Sequence, residues 1–151
     1  ANELKQWPLG QQYFTALTTQ FPMFEQVSEA LYGLGFALQN QNQLDQASAV
    51  YERVTKETNT ESAAKARFMM GECAFAQKKY DIAWQHFLEA ALGYPYPEWQ
   101  ALGHFEAARC FIELKMPDKA RDSLREVVEK FPNHERAKDA AKMLTDLRAA
   151  M

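Results

Sequence analysis

Three histidines, two cysteines and no surplus of positive charge are what this chain has least of, and each shortage removes a class of function. With 17 Lys and Arg against 20 Asp and Glu, the net charge is −3. The basic field that draws a protein onto nucleic acid is missing, so no nucleic-acid partner is expected. Cys73 and Cys110 are too few for a disulfide framework and lack the Cys-x-x-Cys spacing of a zinc site. His86, His104 and His134 are scattered, without a His-Glu-x-x-His pair. No glycine-rich phosphate loop or nucleophile elbow is present, since Gly33 and Gly35 lie inside a helical pattern rather than after a strand. An enzyme, a metal or another cofactor is therefore not expected. No apolar run approaches the roughly 20 residues that cross a bilayer, so direct membrane insertion is not expected either. The charge is spread unevenly, with three basic and seven acidic side chains in residues 1–63 and 14 against 13 in residues 64–151. That asymmetry reads as two mixed surfaces rather than an electrostatic funnel.

What the chain does have is a beat. Gly35, Gly71 and Ala108 are spaced 36 and 37 residues apart. Gly10, Ala47, Ala83 and Ala120 follow at 37, 36 and 37, and so do Phe21-Pro22, Thr58-Asn59, Tyr94-Pro95 and Phe131-Pro132. Self-similarity at one period signals a repeat architecture. Each unit reads as two helices. In the first unit Leu31, Leu34, Gly35 and Leu38 keep the i, i+3, i+4, i+7 spacing of one helical face. A polar turn over residues 40–43 follows, then Leu44, Ala47, Tyr51 and Val54 on a second apolar face. Small residues let antiparallel helices approach, so Gly71 facing Ala83 is expected to leave room for Tyr80 and Phe87. Pro95 and Pro132 close the second helices, because proline cannot continue the hydrogen-bond ladder.

These features resemble the tetratricopeptide repeat family: a small residue in the first helix, an Ala 11 or 12 residues on, an aromatic four beyond, and a closing Pro. The beat of 36–37 and the aromatic-Pro ending are similar to its bacterial envelope subgroup. That subgroup includes the outer-membrane assembly lipoprotein and the periplasmic coordinator associated with the Tol–Pal system. Arg67 and His104 depart from the pattern by standing where a large apolar residue is usual. The resemblance implies an all-α, right-handed α-α superhelix of about seven antiparallel helices, and favours the periplasm or cell envelope over the cytoplasm. Its expected parts are a second helix of a preceding partial repeat over 1–27, repeats over 28–61, 64–97 and 101–134, and a capping helix over 135–151. The half pair at the front implies a fragment of a longer repeat protein, since a solenoid helix needs a neighbour for its apolar face. In the cap, Ala137, Ala140, Ala141, Leu144 and Leu147 are expected to face the last repeat.

First helices line the concave face of such a solenoid, where a partner usually lies. Counting three back from the small residue gives Tyr32, Phe68 and Phe105, and one forward gives Phe36, Glu72 and Arg109. Four or five forward gives Gln39 and Asn40, Phe75 and Ala76, Ile112 and Glu113. The expected protein-binding set is Tyr32, Phe36, Gln39, Asn40, Phe68, Glu72, Phe105 and Arg109. Its competing reading is that the aromatics pack between helices while Glu72 and Arg109 pair across adjacent units. Cys73 and Cys110 occupy equivalent positions and read as small buried contacts between first helices. The loop Tyr94-Pro95-Tyr96-Pro97 reads as a structural insertion with Trp99 packing down from the next helix. The function expected is a scaffold that binds a protein or peptide partner in the concave groove. The alternative is a structural segment without a separate ligand, able to form homo-oligomers through exposed repeat ends.

Overall fold

The computed structural model describes residues 27–150. The helix expected in the first 27 residues, and the fragment reading built on it, lie almost entirely outside them. Among the described residues are seven α-helices and no strand. They are α1 (Val27–Asn40), α2 (Leu44–Glu57), α3 (Glu61–Ala76), α4 (Tyr80–Leu92), α5 (Pro97–Glu113), α6 (Pro117–Lys130) and α7 (Ala137–Ala149). Each helix packs on the one before it and the one after it, which gives three antiparallel pairs and a final helix laid on α6.

The turns inside the pairs are copies of one motif. Asn42, Lys78 and Lys115 all take a left-handed backbone, with φ of 61°, 60° and 59°. Behind each, an amide reaches back over the helix end: Gln43 N–H to Leu38 O at 2.9 Å, Lys79 to Ala74 at 2.9 Å, Met116 to Phe111 at 2.8 Å. This is the Schellman closure, which satisfies carbonyls that the helix itself leaves open. It reverses the chain within three residues.

Packing inside each pair depends on a matched size. A Cβ built on Gly35 would lie 2.6 Å from the Tyr51 ring, and one on Gly71 would lie 2.6 Å from the Phe87 ring. The third unit carries Ala108 and Leu124 at those places, both fully buried in one cluster. The partner of Gly71 is thus the ring of Phe87 rather than Ala83, because the large side chain reaches across the helix interface. A further close approach joins neighbouring pairs, where a Cβ on Gly103 would meet the Phe87 carbonyl oxygen at 2.5 Å.

Between units, Trp99 in the first turn of α5 packs on Phe68 at 5.4 Å and donates from Nε1 to Glu61 at 2.9 Å. One unit later His134 Nε2 lies 3.0 Å from Glu98, while its Nδ1 accepts the Arg136 amide at 3.0 Å. That acceptance leaves Nε2 to carry the proton donated to Glu98. In α7, Ala140 and Leu144 are buried, Ala137 and Leu147 are half-buried, and Ala141 is exposed. The covering stripe, centred on Ala140 and Leu144, is therefore narrower than expected.

Candidate functional site

The first helices also touch one another, α1 with α3 and α3 with α5, and no comparable approach joins the second helices. Sequential pairs that meet more closely on one side form a curved stack. The inner face is built from α1, α3 and α5.

On that face the eight expected residues separate into two groups. Phe68 and Phe105 are core residues, 7% and 6% exposed. The Phe68 ring lies 5.1 Å from Phe87 and 5.4 Å from Trp99. Phe105 joins the cluster of Leu124, Val127 and Leu144, under the Arg136 guanidinium at 5.4 Å. Tyr32 is half-buried on Tyr51 at 5.6 Å, with the Lys65 ammonium 5.3 Å from its ring. Gln39 accepts the Tyr51 hydroxyl at 2.7 Å. Burial pushes the phenol of Tyr32 above its ordinary range, and that of Tyr51 further still. Phe36, Asn40 and Glu72 are half-buried, while Arg109 is exposed.

The charges are arranged differently from a pair across adjacent units. Arg109 turns to Glu106 on its own helix, with Nη1 2.5 and 2.8 Å from the two carboxylate oxygens, and its guanidinium lies 4.7 Å from the Phe75 ring. Phe75 in turn meets Tyr80 edge-on at 5.0 Å. Among the described residues Glu72 makes no hydrogen bond or ion pair. Burial, reinforced by the nearby Glu106 carboxylate, raises its pKa, and Arg109 and Arg136 only partly counter this. Glu106 and Phe75 were not in the expected set. At positions equivalent to Glu106 the other units hold Gly33 and Met69, so no series marks the residue.

The face continues toward the cap. Between α5 and α7 lies an open cleft of about 360 Å³ lined by Phe105, Arg109, Arg136, Asp139 and Lys142. No group of His, Cys, Asp or Glu among the described residues is placed to hold a metal ion. Burial pushes the thiols of Cys73 and Cys110 up to about 12, so both stay protonated and uncharged in the core. No helix among the described residues is long and apolar enough to cross a membrane.

With this geometry in place, comparison with known proteins is decisive for the family. The family model for YfiO, described as outer membrane lipoprotein, matches residues 2–151. The chain belongs to the YfiO family. No curated protein matches it significantly. Among solved structures, the MamA RS-1 ArsTM double mutant superimposes with a TM-score of 0.61 over 99% of this chain and 97% of that one, at 15% identity. At that identity the likeness speaks for the fold alone. The chain is an all-α tetratricopeptide-type solenoid, and this family and fold point to protein–protein interaction as its general role.

Proposed function

We propose that this YfiO-family chain is a non-catalytic scaffold that holds a segment of a partner protein along the inner face of α1, α3 and α5. The observation that carries the reading is Glu72. Among the described residues it is a half-buried carboxylate without a partner, on the same face as the half-buried Phe36 and Phe75, with the exposed Arg109 paired to the buried Glu106. Aromatic area with interleaved charges of both signs gives a bound segment contact surface and register. The buried Phe68 and Phe105 act beneath this face by shaping it. The family description as outer membrane lipoprotein supports a place in the cell envelope, facing the periplasm.

The test is affinity capture from an envelope extract with the wild-type chain and with Phe36→Ser and Glu72→Gln combined. Both side chains are half-buried, and Arg109 stays in place on the buried Glu106, so the fold should survive, with its helical circular dichroism unchanged. A specific co-purifying chain should be held by the wild type and lost from the variant. Equal capture by both proteins, with helicity intact, would sink the reading.

A further inference from the structure

The inner face carries a negative charge that its neighbours do not compensate. Two guanidinium groups act on the half-buried Glu72 through space, yet each is committed elsewhere. Arg109 is held at Nη1 by both Glu106 oxygens, at 2.5 and 2.8 Å, and lies 4.7 Å from the Phe75 ring. Arg136 lies 3.5 Å from Asp139 and 5.4 Å from the Phe105 ring. Glu106 meanwhile adds a second carboxylate to the neighbourhood of Glu72. Taking a carboxylate partly out of water beside another acid is unfavourable unless a cation joins it. The repeat itself does not call for an acid here. Equivalent positions hold Phe36 in the first unit and Arg109 in the third, so the helix pairs close without one.

We infer that Glu72 is the specificity-determining residue of the inner face, and that it receives a Lys or Arg side chain of the bound partner segment. The inference rests on the inner-face reading and deepens it by naming the chemistry of the partner. Phe36, half-buried at the equivalent place on α1, takes an apolar side chain of the same segment. Helices in contact, as α1 and α3 are, have axes about 8–10 Å apart. A polyproline II chain advances about 9 Å in each three-residue turn and returns its side chains to one side. The recognised pattern is therefore an apolar residue and a basic residue three positions apart on an extended chain. An acidic residue at the basic place is refused, because it would meet Glu72 and Glu106 while Arg109 is already neutralised. Refusal of the wrong charge sets the register as firmly as attraction of the right one.

Phage display of random twelve-residue peptides on the immobilised whole chain tests this. The wild type should enrich peptides with Lys or Arg three positions from a large apolar residue. Glu72→Lys should reverse the preference at that place to Asp or Glu. Glu72→Gln should keep the apolar position and lose the basic one, with helical circular dichroism unchanged. A synthetic peptide of the enriched pattern should bind the wild type about tenfold more tightly than the same peptide with its basic residue replaced by Glu, as expected for a charge-assisted hydrogen bond. Enriched peptides without a basic position, or with one that Glu72→Lys leaves unchanged, overturn this inference and leave the inner-face reading standing. The absence of any enriched peptide overturns it as well. Peptides whose binding survives Phe36→Ser combined with Glu72→Gln dispose of both readings.

Discussion

Replacing Gly71 by Ala adds one methyl group to α3 where the Phe87 ring leaves no space. The new Cβ would lie 2.6 Å from two ring carbons and 2.9 Å from a third, and Phe87 has no exposed surface into which it could retreat. Overpacking of this kind costs about 1–3 kcal/mol. Ala is better than Gly inside a helix by about 1 kcal/mol, which offsets part of the cost. With a clash this severe against a fixed ring, the upper half of the range applies and the net loss is about 1–2 kcal/mol. Phe87→Leu alone opens a small cavity and costs a similar amount, about 1–2 kcal/mol. Together the two changes recreate the Ala108–Leu124 pair of the third unit, where both side chains are fully buried. The double variant should thus recover about 2 kcal/mol relative to the sum of the single variants, within the range for residues in contact. Urea unfolding followed by circular dichroism measures it, as shifts in midpoint at unchanged slope. Additive effects, with a coupling below about 0.5 kcal/mol, would refute the size-matching account.

The repeated turns allow a stabilising change: Lys78→Gly and Lys115→Gly should each raise stability by about 0.5–1 kcal/mol, since both lysines hold a left-handed backbone that glycine adopts freely. A lowered urea midpoint for either would contradict the Schellman assignment. His104 is buried, its Nδ1 has no partner among the described residues, and burial lowers its pKa, opposed by Glu126 and helped by Lys130. Below about 6.5 the unfolded chain takes up a proton that the folded one resists, so stability present above that pH falls as acid is added. His104→Leu should flatten the fall in urea midpoint between neutral and mildly acid pH. The remaining slope belongs partly to His86, which burial and Arg67 shift in the same direction. A variant with the wild-type pH profile would remove His104 as a source.

Much of the fold was legible because its physical cause is periodic. The small residues at 35, 71 and 108 and the alanines at 47, 83 and 120 recur at one spacing, while the ring that Gly71 meets, Phe87, came only from the structure. The inner face was legible only as a set of positions. Phe68 and Phe105 stand where Tyr32 stands, yet they are core residues and Tyr32 is half-buried. The difference comes from neighbours distant in sequence, Trp99 above Phe68 and Arg136 above Phe105. Arg109 shows the same limit. Its charge was visible, but its choice of Glu106 and Phe75 over Glu72 depended on which groups the stacked helices brought within reach.

The sequence by itself determined the all-helical repeat, its beat of 36–37, the close approach at Gly35 and Gly71, and the lack of any catalytic or metal-binding pattern. Those properties arise from spacing within the chain, and spacing is what a sequence records. Only the tertiary structure decided which aromatics remain partly open and that Glu72 is half-buried without a partner among the described residues. Burial and pairing are set by what lies across an interface, and residues 36 to 38 positions away supply it.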